Sequence, residues 1–261
     1  NVTTFDIPRK TSAISIVSVS DSSGSSSGGS DSSSGGSSDK LYLLIADKFA
    51  DVYSISLTGL SSSSTLHDRH FLLQHPTSSI TAMYVEPNLG WMVTADQDEK
   101  IRVSSFPATH LIKSYCLGHT ALVSSVAVSP PSSSSERAFV LSGGGDGSLR
   151  CWEPSTGKLL DTIMFQAHNQ TGTLGGARGE AQLLVTSLLC SGSGDARSVT
   201  FAVIDAAAAK SSVHSCTLSK DGKLTMSSTQ EWAATGAGDA WVVQDIVGVT
   251  VAGAGASSAC V

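Results

Sequence analysis

The chain has 261 residues, of which 40% are hydrophobic and 15% are charged. This apolar content is enough for a sizeable core and excludes a chain that is disordered throughout. Its 16 Lys and Arg residues against 22 Asp and Glu residues leave a net charge of −6. A domain that holds nucleic acid by bulk positive charge is therefore excluded, and any RNA contact is expected to be local.

The five cysteines are scattered and include no C-x-x-C pair, so the sequence predicts neither a disulfide framework nor a zinc site. No apolar run approaches the ~18 residues of a membrane span, and we expect a soluble protein in a reducing compartment that contacts no membrane.

Taken in order, the chain divides into short apolar runs separated by turn residues. Residues 1–19 read as the end of one unit and the first strand of the next, and residues 20–39 are almost entirely Ser, Gly and Asp, which predicts a disordered loop. Residues 40–73 complete the first four-strand unit, 74–115 form the second and 116–164 the third. A Gly-rich loop follows at 165–180, then a fourth unit at 181–230 and the start of a fifth at 231–261.

An internal repeat links the second and third units. Thr94 and Ser142, Asp98 and Asp146, and Ser104 and Trp152 are each separated by 48 residues. A repeat of this length with four strands is typical of a β-propeller blade. The prediction is an all-β WD-repeat β-propeller, of which this chain holds an incomplete fragment of about four to five blades.

The third unit carries the residues of a structural tetrad. In a WD-repeat blade an imidazole bridges a hydroxyl and a turn carboxylate, and an indole N–H finds an acceptor. The second unit keeps a partial set, with His75, Thr94 and Asp98, because Ser104 replaces the Trp. The first unit has Ala50 where the others have the turn Asp. The tetrad predicted for the third unit is His119, Ser142, Asp146 and Trp152.

Several stretches imitate catalytic or metal sites. Gly24 to Gly28 matches the G-x-S-x-G pattern of hydrolases, but it lies in a low-complexity loop and not at a strand-to-helix turn. The pair His119 and Asp146 is assigned to the blade network in preference to acid–base chemistry. The carboxylates of residues 96–99 are followed by basic residues, which favours a solvated turn over a cation site. We therefore predict no catalytic residue and no metal site.

Basic side chains recur after equivalent turns, which is the pattern of a charged patch for a protein partner. Lys100 and Arg102 follow one turn, and Arg150 stands in the next unit at the place of Arg102. The residues predicted to bind a partner are Lys100, Arg102, Asp146 and Arg150.

The strings VTADQDEKIRVS, SYCLGHTALVSSVAV and LSGGGDGSLRCWE, with ADKFADVYSIS before them and WVVQD after, make the chain resemble a particular family. It is similar to the WD-repeat, non-catalytic subunit of the tRNA (guanine-N7-)-methyltransferase. The resemblance is dense from Leu41 to Glu153.

This resemblance implies a seven-bladed propeller that binds and stabilises a separate catalytic subunit as a heterodimer. That partner would bind S-adenosylmethionine and form N7-methylguanosine in the tRNA variable loop, so this chain would need no cofactor of its own. It also implies that Lys100 and Arg150, with Asp146 alongside, face the partner, that tRNA is met mainly through the complex, and that the protein is nuclear. The alternatives are a WD-repeat adaptor of another complex, such as a ubiquitin ligase, and a hydrolase using the Ser, His and Asp residues.

Overall fold

The structure, a computed structural model, describes residues 10–19, 39–58, 69–129, 131, 137–165, 183–192, 197–205, 210–233, 247–249 and 258–260. The predicted end of a preceding unit at the start of residues 1–19, nearly all of the Ser/Gly loop and the Gly24–Gly28 match lie outside these residues. So does most of the predicted fifth unit, of which the structure describes a pair of short strands at Val247–Val249 and Ser258–Cys260.

Apart from this pair, the described strands form four antiparallel sheets of four strands each, and each sheet takes its strands in chain order. Sheet I contains β1 (Thr11–Val19), β2 (Lys40–Asp47), β3 (Asp51–Ser56) and β4 (His70–Gln74). Sheet II contains β5 (Ile80–Glu86), β6 (Trp91–Asp96), β7 (Lys100–Ser105) and β8 (Ile112–Leu117), with a 3-10 turn at Pro87–Leu89.

Sheet III contains β9 (Val123–Ser129), β10 (Phe139–Gly144), β11 (Ser148–Glu153) and β12 (Lys158–Met164). Sheet IV contains β13 (Leu183–Ser191), β14 (Arg197–Asp205), β15 (Lys210–Leu218) and β16 (Leu224–Ala233).

The four sheets form part of a propeller ring, because the first strand of each sheet packs against the first strand of the next. These inner strands are also joined by hydroxyls: Thr81 of β5 donates to the carbonyl of Val123 in β9, and Ser124 of β9 donates to the carbonyl of Val185 in β13. The all-β propeller prediction is confirmed.

Three apolar layers hold the sheets together. Leu44 and Val52 of sheet I pack toward Ile80 and Met92 of sheet II. Between sheets II and III the core contains aliphatic side chains and the indole of Trp152, and between sheets III and IV it contains Phe139 and Phe201. These strands carry apolar groups on both faces because each inner sheet is covered on two sides.

The connections between strands lie at the two opposite ends of each sheet. In an antiparallel sheet the turn between the second and third strands lies at the same end as the loop that enters the first strand. In sheets I to III this end consists of the turns at 47–51, 96–100 and 144–148 and the entering loops at 75–79 and 118–122. We call this surface the turn face. It carries three of the residues predicted to have a function, Lys100, His119 and Asp146.

Candidate functional site

The tetrad residues of sheet III form one closed hydrogen-bond network. His119 Nε2 lies 2.8 Å from the Ser142 hydroxyl, and His119 Nδ1 lies 3.0 Å from a carboxylate oxygen of Asp146. The indole Nε1–H of Trp152 donates to the same Ser142 oxygen at 2.7 Å. One proton arrangement satisfies all three contacts: the indole donates to Ser142, Ser142 donates to His119 Nε2, and Nδ1–H donates to Asp146.

Asp146 accepts further hydrogen bonds from its own turn. The Ser148 hydroxyl donates to it at 2.6 Å, and the backbone N–H groups of Thr120 and Ser148 each donate at 3.1 Å. Burial by itself raises the pKa of Asp146, but hydrogen bonds from His119 and Ser148 to the ionised form outweigh burial and hold the pKa well below its usual range. The carboxylate therefore stays charged and locks the turn onto the loop that carries His119.

This network is buried, which decides between the structural and the catalytic interpretation of His119 and Asp146. Ser142 and Trp152 are fully buried, and His119 is 3% exposed. Both ring nitrogens of His119 already have partners inside the blade. A base that must take a proton from a substrate needs to reach it, and here the indole and the strand backbones close the approach.

Sheet II has a similar network, but its carboxylate comes from a different residue. His75 Nε2 lies 2.8 Å from the Thr94 hydroxyl, and Nδ1 lies 3.1 Å from Asp96. Asp96 also accepts the backbone N–H groups of Asp98 and Lys100. Asp98 itself points outward, with a half-exposed side chain 3.9 Å from Lys100. The prediction that Asp98 completes this network is therefore wrong.

The repeat explains the exchange. Asp98 does occupy the position of Asp146, and Asp96 occupies that of Gly144, because the offset of 48 residues holds. A Cβ on Gly144 would lie 2.6 Å from His119 Nδ1 and 2.7 Å from the Asp146 carboxylate. The two carboxylate positions thus compete for one space, and each sheet can fill it from only one of them.

The assignment of Ala50 to the carboxylate position is wrong as well. Ala50 has φ of +64°, matching Glu99 at +71° and Gly147 at +70°, so it is the left-handed residue of its turn. The carboxylate of sheet I is Asp47, which is buried and accepts the N–H groups of Phe49 and Asp51 at 2.8 and 3.1 Å. Comparison of the repeats missed Asp47 and Asp96 because it took the carboxylate from within the turn, whereas both residues are the last residue of the strand before it.

The four residues predicted to bind a partner are presented differently. Lys100 is the most accessible, with 45% of its side chain exposed. Arg150 is 12% exposed, donates to Ser148 at 2.9 Å and to Asp146 at 3.3 Å, and lies 6.0 Å from the Trp152 ring centre. The side chain of Asp146 is 4% exposed.

Arg102 turns inward although it matches Arg150 in register. It is 8% exposed, and its guanidinium donates to the Ser104 hydroxyl at 2.9 Å and to the Thr109 carbonyl at 2.7 Å. Ser104 stands where sheet III has Trp152, so the smaller side chain leaves both space and an acceptor. Burial lowers the pKa of Arg102.

A cavity of about 350 Å³ lies beside Arg102 and Lys100. The exposed side chains of Tyr115 and Leu117 also line it. The sequence contained no signal for it, because its lining comes from a loop and three strands that are separated along the chain. The lining residues are His75, Pro76, Thr77, Asp96, Lys100, Arg102, Tyr115 and Leu117.

Within the described residues, no three His, Cys, Asp or Glu side chains come together as metal ligands would. Of the three carboxylates in residues 96–99, Asp96 is buried, whereas Asp98 and Glu99 are exposed. In the same part of the chain, no helix is both long and apolar enough to span a bilayer.

Comparison with known proteins places these features in a family. Residues 67–235, well over half of the chain, match the family model described as the tRNA methyltransferase TRM82 WD40 domain. The matched segment runs from the last strand of sheet I through sheet IV and includes Lys100 and Arg150.

Among curated proteins, the chain is 38% identical over 139 residues to the mouse tRNA (guanine-N(7)-)-methyltransferase non-catalytic subunit WDR4, covering 53% of this chain and 31% of that protein. It is 41% identical over 118 residues to the human protein of the same name, covering 45% of this chain and 26% of that protein. The chain thus spans about a third or less of the length of these relatives.

Among solved structures, U3-55K matches with a TM-score of 0.50 and 12% identity, covering 85% of this chain and 52% of that chain. At this identity the match supports the propeller fold alone. Together with the repeated His, Asp and hydroxyl networks, the family match shows that the chain belongs to the TRM82 WD40-domain family of tRNA methyltransferases.

Proposed function

We propose that this protein is the non-catalytic subunit of a tRNA (guanine-N7-)-methyltransferase, which binds a separate catalytic subunit and stabilises it. The observation that carries the proposal is the family match over residues 67–235, with relatives named as the non-catalytic subunit of that enzyme. No described feature favours another adaptor role.

The physical contribution of such a subunit is preorganisation. A surface held rigid before binding loses little conformational entropy on docking. The turn face meets this requirement because Asp96 and Asp146 each bind two or more backbone N–H groups and a histidine on the neighbouring loop. Its charged groups would then meet a complementary surface in one fixed arrangement.

Lys100 is the residue we propose as the main electrostatic contact. It is half exposed at the turn face, and its nearby acid Asp98 is also exposed, so the two can exchange partners at little cost. Arg150 is less accessible, and its guanidinium also holds Asp146 and covers Trp152. S-adenosylmethionine and the methyl transfer would belong to the catalytic subunit. We propose that this chain meets tRNA mainly through the complex, in the nucleus.

The test is co-purification of the full-length protein with the catalytic subunit. Lys100→Glu is expected to weaken the complex at least about tenfold at physiological salt, because it reverses a charge in the interface. The matched control is Lys220→Glu, an exposed lysine in the turn between β15 and β16, at the opposite end of its sheet. Reversal of Arg150 is less informative, since a second carboxylate beside Asp146 would also disturb the blade.

Two results would contradict the proposal. One is the absence of a methyltransferase among the proteins that co-purify with the unaltered chain. The other is unchanged binding by Lys100→Glu. That result would refute Lys100 as a contact with the catalytic subunit, and the family assignment would stand.

A further inference from the structure

Phe49 is an exposed aromatic side chain at the tip of a rigid turn. It lies between β2 and β3 and is 55% exposed. The turn is held by the buried Asp47, which accepts the N–H groups of Phe49 and Asp51. The ammonium group of Lys48 lies 4.9 Å from the centre of the Phe49 ring. The turn thus presents an apolar ring to solvent on a backbone that is already ordered before any partner binds.

Comparison of equivalent turn positions shows how Phe49 differs from its counterpart in sheet II. Phe49 follows Asp47 by two residues, just as Asp98 follows Asp96, so the same turn position is a phenylalanine in sheet I and an outward-facing acid in sheet II. Single exposed apolar residues are common, but aromatic side chains are enriched in the buried centres of protein interfaces.

Hydrogen bonds connect Phe49's turn to the turn that carries Lys100. The Ser79 hydroxyl donates to the Lys48 carbonyl at 3.1 Å, and the N–H of Gln97 donates to the Ser79 carbonyl at 3.0 Å. The N–H of Asp98 donates to the Ser78 hydroxyl at 3.1 Å. The loop at 75–79 therefore joins both turns and fixes Phe49 relative to Lys100.

We propose that Phe49 is an apolar anchor of the surface that binds the catalytic methyltransferase subunit, and this inference rests on the proposed function. Phe49 would enter an apolar pocket on that subunit, with Lys48 and Lys100 meeting acidic side chains around it. The acids Asp51 and Asp98 near these turns and the net charge of −6 disfavour an RNA backbone in the same place.

The experiment measures the dissociation constant of the full-length protein and its catalytic subunit by biolayer interferometry at low and high salt. Phe49→Ala is expected to weaken binding at least about tenfold, as truncation of a central aromatic anchor does. The loss should be equal at both salt concentrations, because apolar burial is not screened. Phe49→Leu keeps an apolar side chain and should bind within about threefold of the unaltered protein.

The matched control is Leu111→Ala, which removes an apolar side chain of similar exposure, 54%, from the loop between β7 and β8 at the other end of sheet II. It should bind like the unaltered protein. Circular dichroism of each variant verifies folding, which an exposed turn side chain should not affect.

The outcomes separate the two proposals. If the unaltered protein does not bind the catalytic subunit, the proposed function fails. If it binds and Phe49→Ala binds equally well, the anchor is refuted while the function stands. If Phe49→Ala leaves the heterodimer unchanged but weakens tRNA binding by the assembled complex, the ring stacks on a nucleobase and the inference is overturned.

Discussion

Substitution of Ser142 by alanine tests whether the network of sheet III holds the blade together. The hydroxyl of Ser142 accepts the indole N–H of Trp152 and contacts His119 Nε2. Alanine has almost the same shape, so the change removes the hydroxyl without creating a large cavity. It leaves two buried polar groups unsatisfied, at about 1–3 kcal/mol each. We expect the free energy of unfolding to fall by roughly 2–6 kcal/mol.

Sheet II provides the matched control. Thr94 contacts His75 Nε2 at 2.8 Å, but Ser104 stands where the indole would be. Thr94→Val therefore leaves one ring nitrogen without a hydrogen-bond partner and affects no indole. This variant should lose about 1–3 kcal/mol. Urea unfolding of the full-length protein measures both values, and unchanged m-values would show that the extent of unfolding is the same.

A double-mutant cycle isolates the contact between Ser142 and Trp152. In a Trp152→Phe background the indole donor is already gone, so Ser142→Ala should cost about 1 kcal/mol less than in the unaltered protein. The reasoning is refuted if Ser142→Ala costs no more than Thr94→Val, or if the cycle shows no coupling.

Three further predictions follow from the same geometry. Burial outweighs the hydrogen bond that His75 donates to Asp96 and lowers the pKa of His75, so the unfolded chain binds more protons and the free energy of unfolding should fall as pH drops below about 6.5. Urea unfolding at pH 7.5 and 5.5 should show a smaller fall for His75→Gln, and an equal fall would contradict the assignment. Gly144→Ala should lower Tm by several degrees because its Cβ would collide with the His119 ring, whereas Gly145→Ala, whose Cβ meets nothing closer than 3.4 Å, should change Tm little in a thermal melt. Burial also raises the pKa of three core thiols, so a thiol reagent at pH 8 should label them only after unfolding, and rapid labelling of the native protein would disprove their burial. These thiols are Cys116, Cys151 and Cys216.

Local pattern was sufficient for the architecture. The spacing of 48 residues between Thr94 and Ser142 and between Ser104 and Trp152 predicted two neighbouring sheets in register, and the strand pairings agree: Thr94 lies opposite Arg102 as Ser142 lies opposite Arg150. Strand and turn are largely local properties of the chain: short apolar runs predict the strands, and Gly or Asp residues mark most of the reversals. An alignment of repeats can therefore recover them.

The same alignment failed for Asp98 and Ala50, and for a physical reason. A sequence match compares residue types at equivalent positions, whereas a histidine needs a carboxylate at a certain point in space. Two turn positions can supply that carboxylate. In sheet III the earlier position is Gly144, which has no Cβ, so Asp146 reaches the histidine; in sheet II the earlier position is Asp96, which reaches the histidine itself. Asp96 and Asp146 therefore make the same contact with a histidine, although they occupy different positions in the repeat.

Composition, repeat length and the order of apolar runs were enough to establish that this is an all-β chain of four-strand sheets belonging to a propeller, because those features follow from each residue's preference for strand, turn or interior. Packing in three dimensions determined which carboxylate meets each histidine and that Arg102 turns inward while Arg150 stays near the surface. It also determined that the loop at 75–79 joins the turn of Phe49 to the turn of Lys100. These outcomes depend on the volume of a side chain on a neighbouring strand, Ser104 against Trp152, and on hydrogen bonds between loops far apart in the chain. No stretch of sequence contains that information alone.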